Sequence, residues 1–269
     1  MGDFSPEWLA LREPADLAAR NRTVLAACAR AFAGQDSLVV CDMGAGTGAS
    51  VRAFADVLPR RQDWILVDHD QRNLTAALAA LRAWAGGGGD TLQRGEHRIS
   101  VRTLRRDFAA DPAPWPADTG LVTASALFDL PSRAWIDAFV ARLAERRLPA
   151  LITLTVDGVM AADPAHALDE PMFAAFRRHQ SGDKGFGPSA GADAALYLEQ
   201  SLKKTGYKLE RGDSPWVIDR TSPALMRELL SGIAGAARET GLDARRWLED
   251  RLASTARLTI GHRDVFAHL

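Results

Sequence analysis

Three acidic residues and a glycine-rich turn have the types and spacing needed to hold a nucleoside. The stretch VVCDMGAGTGAS, residues 39–50, places Asp42 two residues before a run of alternating glycines. Asp68 follows a second apolar run, and Asp107 with Phe108 follows a third. A carboxylate can accept both hydrogen bonds of a ribose diol, and an acid beside an aromatic ring suits the amino group and the face of adenine. The first acid suits an ammonium group and is unfavourable beside a pyrophosphate, because like charges in a cleft repel each other.

The glycine turn by itself is compatible with more than one ligand. Glycine permits a positive φ and a close approach of the backbone to a ligand. The spacing Gly44-x-Gly46-x-x-Ala49 also matches the relaxed dinucleotide fingerprint G-x-G-x-x-G/A, so a nicotinamide-dependent oxidoreductase stays open. The turn lacks the Gly-Lys-Ser/Thr of a P-loop, which argues against phosphoryl transfer from ATP. A tight turn with a purely structural role is the remaining alternative.

Parallel strands would bring these residues together. Short apolar runs alternate with helical patterns, and the runs span residues 37–43, 63–68, 98–104, 120–125 and 149–157. The helical patterns between them span residues 48–58, 70–85 and 132–147. This alternation is typical of βαβ units with helices on both faces of a parallel sheet. Right-handed crossovers place the carboxyl ends of the strands at one edge, where ligands bind.

The flanking parts of the chain add helices and more strands. Helical patterns cover residues 5–11 and 14–33, and Gly86–Gly89 predicts a flexible connection. Residues 158–190, part helix and part Gly/Pro loop, break the alternation after the fifth run, so we expect them to form a lid over the ligand edge. Five further patterns are a helix at 191–205, a strand at 206–212, helices at 222–237 and 241–253, and a final strand at 256–267.

These patterns predict a single domain over residues 1–269 with a doubly wound, mostly parallel sheet of seven strands. Its parts are an N-terminal helical segment (1–36), a cofactor-binding core (37–157), the lid insertion (158–190) and a C-terminal part (191–269) that completes the sheet and adds two helices. Those two helices could cover an acceptor or form the face of a homodimer.

Composition narrows the class of protein. The 269 residues are 47% hydrophobic and 25% charged, with a formal net charge of −1. This is typical of one soluble α/β domain with a large core. The near-neutral charge argues against a nucleic-acid partner, which would need a basic footprint. We see neither a membrane span nor a signal peptide, so we expect a cytoplasmic protein without a membrane partner. Cys28 and Cys41 fall in apolar patterns and are expected to be buried, reduced thiols.

Four motifs resemble those of the class I S-adenosylmethionine-dependent methyltransferases. CDMGAGTG (41–48) is similar to the first motif, VDHD (67–70) to the second, RRDFAA (105–110) to the third and LVTASALFDL (121–130) to the fourth. The resemblance is clear over residues 37–157. It implies a Rossmann-like methyltransferase fold, S-adenosylmethionine as cofactor, S-adenosylhomocysteine as product, and in-line methyl transfer to an acceptor that we expect to be a small molecule. The fourth motif lacks the asparagine-proline-proline-aromatic pattern of DNA and protein amide methylation, which argues against nucleobase amines.

The resemblance also assigns site residues. Asp42 would lie near the methionine moiety, and the glycine turn would pack against the cofactor through Gly44, Ala45, Gly46 and Gly48. The ribose and adenine would contact Asp68, His69, Asp107 and Phe108. The floor beside the methyl group would be formed by Ser125 and Leu127. N-terminal segments often close over the cofactor in related enzymes, so Arg12 or Arg20 could bind the methionine carboxylate; an exposed helix face is the alternative for each arginine.

Residues that act on the acceptor are harder to assign. The stretch FRRHQSGDKGFG (176–187) is rich in polar residues, and His179 could be a general base. Arg178 or Lys184 could bind an acidic acceptor. The alternative is a solvated helix end, where basic side chains favour the helix dipole.

Two acids in the second half of the core also need an assignment. Asp129 and Asp157 could help to bind a metal as in catechol-type methyltransferases, but the adjacent Asp-Asn pair expected there is missing, so we predict no metal. Asp129 remains a candidate catalytic residue. His262 and Asp264 on the final strand are expected to be structural.

Three functions remain open from the sequence. The first is a methyltransferase acting on a small-molecule acceptor. The second is a catalytically silent protein of the same fold that binds the cofactor and serves as a partner or sensor. The third is the nicotinamide-dependent oxidoreductase, which Asp42 disfavours.

Overall fold

The computed structural model describes residues 4–86 and 91–269, so most of the predicted connection at 86–89 lies outside the described residues. The strands are β1 (Ser37–Met43), β2 (Arg61–Asp68), β3 (Thr91–Arg94), β4 (His97–Arg105), β5 (Leu121–Ser125), β6 (Ala150–Asp163), β7 (Lys208–Asp213), β8 (Trp216–Asp219) and β9 (Arg257–His268). The helices are α1 (Pro6–Ala19), α2 (Arg22–Phe32), α3 (Ala49–Phe54), α4 (Gln71–Ala85), α5 (Arg133–Glu145), α6 (Asp169–Gln180), α7 (Ala194–Lys204), α8 (Pro223–Glu239) and α9 (Arg245–Ser254). Among the residues described, no helix is long and apolar enough to cross a membrane.

One mixed sheet organises the molecule. Its strand order is β3-β4-β2-β1-β5-β6-β9-β7, and β8 pairs with β9. Strands β4, β2, β1, β5 and β6 are mutually parallel, whereas β9 runs antiparallel to both β6 and β7. The predicted doubly wound, mostly parallel sheet of seven strands is therefore confirmed as the path from β4 to β7. Strands β3 and β8 are additional, and each has only four residues.

The two faces of the sheet carry separate apolar cores. Cys41 on β1 packs in a cluster with α5 and α7, whereas its neighbour Val40 packs in a cluster with α2, α3 and α4. Successive side chains of a strand point to opposite faces. Because both faces are covered by helices, the central strands are apolar on both sides, and this is what made them recognisable in the sequence.

The N-terminal helices differ from the predicted boundaries. We predicted a break between residues 11 and 14, but α1 continues through Pro14 and ends at Ala19. The break falls at Asn21, whose side chain accepts hydrogen bonds from the backbone N–H groups of Thr23 and Val24, each at 3.1 Å. This N-cap starts α2, and so the capping residue, rather than the proline, sets the boundary.

The predicted lid at 158–190 is corrected by the structure. Residues 158–163 extend β6 and pair with the start of β9 after two register shifts. Helix α6 then packs against α8, α9 and β8 in a third apolar cluster, against which α1 also packs. Only the last part of the segment returns to the ligand edge, where Ala190 N donates to Pro131 O at 2.8 Å. Pairing with β9 explains why β6 extends to Asp163. Gly158 is typical of a turn, so this extension was not predicted from the sequence.

Candidate functional site

A cavity of about 70 Å³ lies at the carboxyl ends of β1, β2 and β5. The site residues predicted from the sequence that line it are Arg12, Gly44, Gly46, Asp68, His69, Phe108, Ser125 and Leu127. The lining residues that sequence reasoning missed are Phe4, Leu9, Asn73, Ala126 and Leu130. A separate groove of about 620 Å³, at the amino ends of the strands, contains none of the predicted site residues.

The glycine turn forms one wall of the cavity. Gly44 has φ +66° and Gly46 has φ +51°, conformations that L-residues with a side chain rarely adopt. A Cβ at Gly46 would lie 2.9 Å from Leu9 Cδ1, and a Cβ at Gly44 would lie 3.4 Å from Leu127 Cδ1. The turn is held to the sheet because Ala45 N donates to Val67 O at 3.0 Å. The glycines therefore present bare backbone to the cavity.

Asp68 joins the end of β2 to the glycine turn. Its Oδ2 accepts a hydrogen bond from Gly46 N at 2.9 Å, and its Oδ1 accepts one from Asp70 N at 2.9 Å. His69 Nδ1 lies 3.2 Å from the same Oδ1. Each carboxylate oxygen keeps a further lone pair, so Asp68 can still accept bonds from a ligand diol. Asp70, not Asp68, is the N-cap of α4, because its Oδ1 accepts from Arg72 N at 2.8 Å.

Asp42 lies beneath the glycine turn rather than in the cavity wall. It is fully buried, and Thr123 Oγ1 donates to its Oδ1 at 2.7 Å. Its Oδ2 has no hydrogen-bond partner among the described residues. Burial raises the pKa of Asp42 to about 7, although the hydrogen bond from Thr123 acts in the opposite direction. We expected this carboxylate to point into the ligand crevice, and the structure instead places it behind the turn.

Asp107 and Phe108 lie on different surfaces. Asp107 is exposed, accepts from Ala109 N at 3.0 Å and lines a groove of about 420 Å³ that meets the cavity at His69. Phe108 is buried, with its ring stacked on that of Phe186 at a centroid distance of 6.4 Å. The GFG stretch of the predicted lid thus packs a phenylalanine into the core beside the cavity.

Helix α1 forms the roof of the cavity. Leu9 lies against Gly46, and Phe4 O accepts a hydrogen bond from Asn73 Nδ2 at 3.2 Å. Glu13 holds the helix to α3 through two hydrogen bonds from Arg52, at 2.5 and 2.6 Å. Ligand pockets typically span about 300–1,000 Å³, so the cavity is too small for a nucleoside in this arrangement. We expect a lining element to move when such a ligand enters, and α1 is the element that covers the glycine turn through Leu9.

Three polar residues of α1 face inward at a spacing of four. Arg12 Nε donates to Asp16 Oδ2 at 2.9 Å, and its guanidinium lies 5.3 Å from the centroid of the Trp216 ring. Trp216 Nε1 in turn donates to Asp16 Oδ1 at 3.0 Å. Arg20, the residue directly after Ala19, donates to Thr153 Oγ1 at 2.5 Å and to Ser125 Oγ at 3.2 Å. Arg12 thus reaches the cavity wall, whereas Arg20 lies behind it.

The structure does not bring the predicted acceptor-side residues to the cavity as one group. His179 lies on the outer part of α6, with Nε2 3.0 Å from Glu239 Oε2 of α8. Arg178 is exposed on the same helix. Lys184 lines the groove beside Asp107. Asp129 follows the cavity-lining segment of β5, and burial raises its pKa. In the described ranges, no three His, Cys, Asp or Glu side chains are grouped so that they could hold a metal ion.

His262 and Asp264 of β9 are built into the interior. Asp264 accepts three hydrogen bonds, from Leu154 N, Ser214 Oγ and Asn21 N, at 2.6–2.8 Å. His262 is buried against Trp216 with ring centroids 5.1 Å apart, and its Nδ1 has no partner within the part of the chain described. Burial, followed by the charge of Arg12, lowers the pKa of His262 to about 3.

Two residues that line the cavity, Ala126 and Asn73, were not predicted from the sequence motifs. Ala126 has φ +50°, a strained value for a residue with a Cβ, and its N–H donates to Thr153 O at 2.9 Å. Asn73 is buried, and its Oδ1 has no partner among the described residues. Asn73 sits two residues into α4, where its position after VDHD is the only signal that could have identified it.

Comparison with solved structures identifies the fold of the chain. No protein-family model and no curated protein sequence matches the chain. The solved structure of the YcgJ protein from Bacillus subtilis is similar, with a TM-score of 0.51 and 12% identity over 92% of this chain and 98% of that chain. At this identity the likeness establishes the fold alone, and the chain has a Rossmann-like α/β fold.

Two further solved structures carry titles that state an activity. One is an S-adenosylmethionine-dependent methyltransferase from Thiobacillus denitrificans in complex with S-adenosyl-L-homocysteine, with a TM-score of 0.48 and 15% identity over all of both chains. The other is the magnesium protoporphyrin IX methyltransferase of Synechocystis PCC 6803 with bound S-adenosylmethionine, with a TM-score of 0.48 and 10% identity over 97% of this chain and 89% of that chain.

Proposed function

We propose that the protein is a class I S-adenosylmethionine-dependent methyltransferase that acts on a small-molecule acceptor. The observation that carries this proposal is the cavity at the carboxyl ends of the parallel strands. There the glycine turn, Asp68, Phe108 and Ser125 meet, although they come from four separate motifs of the sequence. The near-neutral charge of the chain supports a small molecule over a nucleic acid as acceptor.

The residues present fit this cofactor. The bare backbone of Gly44 and Gly46 leaves room that a Cβ would fill, and the unpartnered Oδ1 of Asn73 offers an acceptor to a hydroxyl or amino group. Asp68 would hold the ribose, Phe108 would face the adenine, and Ser125 with Leu127 would flank the methyl group. When bound, S-adenosylmethionine would supply a methyl group already activated by a sulfonium.

The chain would then contribute alignment and the exclusion of water. Helix α1 covers the cavity, and closure of this kind keeps solvent from a displacement reaction. For a hydroxyl or amine acceptor we propose Asp129 as the base, because its pKa is raised by burial and the next residue, Leu130, lines the cavity. Lys184, at the rim of the neighbouring groove with Arg105 and Arg106, is proposed to bind an acidic group of the acceptor.

One observation favours the silent, cofactor-binding alternative. The predicted base His179 is paired with Glu239 and is absent from the cavity wall. The strand order of the sheet disfavours the nicotinamide-dependent oxidoreductase. Asp42 does not bear on this alternative, because it does not line the cavity. The dinucleotide fold orders its strands 3-2-1-4-5-6, whereas here the antiparallel β9 separates β6 from β7.

Thermal unfolding with S-adenosylhomocysteine tests the proposal, with NAD as the parallel ligand. At about 100 times its dissociation constant a ligand should stabilise the wild type by about 2.7 kcal/mol. Asp68→Ala should lose this shift. Asp70→Ala is the matched control, because it removes a neighbouring acid that caps α4 and pairs with Arg72 but does not line the cavity, and it should keep the shift. Stabilisation by NAD in place of S-adenosylhomocysteine would contradict the proposal, and turnover of an acceptor library would separate an enzyme from a silent binder.

A further inference from the structure

Arg20 is a buried charge held by neutral groups. It is 6% exposed, and its two terminal nitrogens donate to the hydroxyls of Thr153 and Ser125. Its Nε has no hydrogen-bond partner, and no carboxylate in the described ranges lies within ion-pairing distance of it. A buried guanidinium usually pairs with a carboxylate, because burial of an unpaired charge is costly. Burial lowers the pKa of Arg20, and the charges of Asp16, Asp264 and Asp42 oppose that effect.

The groups around Arg20 together make a site for a cation. The guanidinium carbon lies 4.6 Å from the centroid of the Phe54 ring, and aromatic faces attract cations at such distances. Asp42 is the third of the carboxylates, after Asp16 and Asp264, that act electrostatically on Arg20, and its Oδ2 is buried without a hydrogen-bond partner among the described residues. One hydroxyl that binds Arg20, that of Ser125, belongs to the cavity wall. An aromatic face, a carboxylate and a hydroxyl thus converge directly behind the cavity.

The proposed donor carries cations in its methionine part, a sulfonium and an α-ammonium. The motif resemblance implies that this part lies near Asp42 and that Ser125 lies beside the methyl group. Arg20 directly follows α1, donates to Ser125 Oγ at 3.2 Å and is within electrostatic range of Asp42. The donor and Arg20 therefore have overlapping requirements for space and for charge.

We infer that Arg20 occupies the subsite that receives the cationic end of the donor, so that donor binding displaces Arg20 together with the end of α1. This inference rests on the proposed function. Arg20 then acts as an internal competitor that holds the helix closed, and its removal should strengthen donor binding. The opposite role, in which Arg20 binds the methionine carboxylate, requires that its removal weaken binding.

Calorimetric titration with S-adenosylhomocysteine, which carries the α-ammonium, distinguishes these roles. We expect Arg20→Met to lower the dissociation constant about fivefold or more, the lower end of typical couplings between sites. Thr153→Val should act in the same direction, because it removes one hydroxyl that holds Arg20 while leaving the cavity wall intact. It also provides a test if Arg20→Met does not fold. Arg133→Met is the matched control, since its guanidinium also lies over a ring, that of Tyr197 at 5.1 Å, but away from the site.

Each outcome has a defined meaning. Tighter binding by Arg20→Met or Thr153→Val, with Arg133→Met unchanged, supports the inference. Weaker binding by a folded Arg20→Met would show that Arg20 contacts the donor, and unchanged affinity would show that the two do not compete; either result overturns it. Binding by Arg20→Met alone, with none by the wild type, would support the inference most strongly. No binding by the wild type or by any variant would refute the proposed function, and the inference with it.

Discussion

Asp42 and His262 are buried titratable residues whose pKa shifts have opposite effects on the pH dependence of stability. Burial raises the pKa of Asp42 to about 7, so between about pH 4 and 7 the folded state binds a proton that the unfolded state releases. Stability contributed by Asp42 therefore falls as pH rises through that window. Burial lowers the pKa of His262 to about 3, so below about pH 6.5 the unfolded state binds the extra proton. Stability contributed by His262 rises with pH up to that point.

Two variants should separate these contributions. Between pH 4 and 6.5 the two slopes oppose each other in the wild type, and each is at most about 1.4 kcal/mol per pH unit. Asp42→Asn should leave the His262 slope, so its stability should rise with pH more steeply than that of the wild type. His262→Gln should leave the Asp42 slope and show the reverse. Urea unfolding at several pH values measures both, and parallel pH profiles for the three proteins would contradict the assignment.

At the residue scale, local motifs predicted the cavity residues that lie at strand ends. Gly44, Gly46 and Asp68 are recognisable because the turn needs positive φ and the acid ends an apolar run. His179 was predicted at the ligand edge because a polar cluster beside glycines suggests a lid. In the structure α6 packs against α8, and the His179 side chain pairs with Glu239 at the end of α8. The alternative of a helix end is closer to the structure. Phe4 and Leu9 could not be predicted, since they reach the cavity through the packing of α1.

At the element scale, we expect α1 to control access to the cavity, because Leu9 and Arg12 of this helix line it. The pair formed by Glu13 and Arg52 is largely buried, with side chains 17% and 10% exposed. Glu13→Gln should weaken the attachment of α1 to α3 and increase the association rate of S-adenosylhomocysteine about fivefold, the equivalent of about 1 kcal/mol. Stopped-flow fluorescence measures this rate.

The control for this variant is an ion pair away from α1. Glu96→Gln breaks the exposed pair with Arg60 at the opposite edge of the sheet and should leave the rate unchanged. If Glu13→Gln also leaves it unchanged, α1 does not limit access in the way that the small cavity implies.

The returning part of the insertion is an element of the core. Phe186 is 8% exposed and packs on both Phe108 and Trp135. Phe186→Ala should reduce the free energy of unfolding by about 3–5 kcal/mol, as expected for a truncated buried ring. Leu196→Ala, at a site 57% exposed, should change it by less than about 0.5 kcal/mol. Denaturant unfolding compares them, and a loss at Phe186 as small as the loss at Leu196 would mean that this segment is a mobile lid.

Two strand segments, β3 and the end of β6, were not predicted from the sequence. Strand β3 has one buried side chain in four residues, Leu92, so its apolar pattern is too short to recognise. The extension of β6 contains Gly158 at φ +81°, which reads as a turn, but pairing of residues 160–163 with β9 makes it a strand. The central strands were predictable because burial on both faces makes them continuous apolar runs.

At the scale of the whole molecule, the strand order separates this fold from the dinucleotide-binding fold. The order could not be derived from composition or periodicity, because β9 pairs with two strands that are distant in the chain: Asp213 of β7 pairs with Arg263, and Asp163 of β6 pairs with Arg257. Helix α1 also contacts the third apolar cluster through Trp8 and Leu11, so opening of the cavity is coupled to the layer of α6, α8 and α9.

Each face of the sheet contains one buried cysteine, and the rate at which its thiol is labelled can report the opening of that face. Cys28 belongs to the cluster on one face and Cys41 to the cluster on the other, and both are fully buried. Burial raises the pKa of Cys28 to about 12 and that of Cys41 further, so neither thiol reacts while its face stays closed. The rate at which each is labelled therefore reports how often that face opens. Without any engineered probe, a thiol reagent and mass spectrometry can show whether the two halves of the core open together or one after the other.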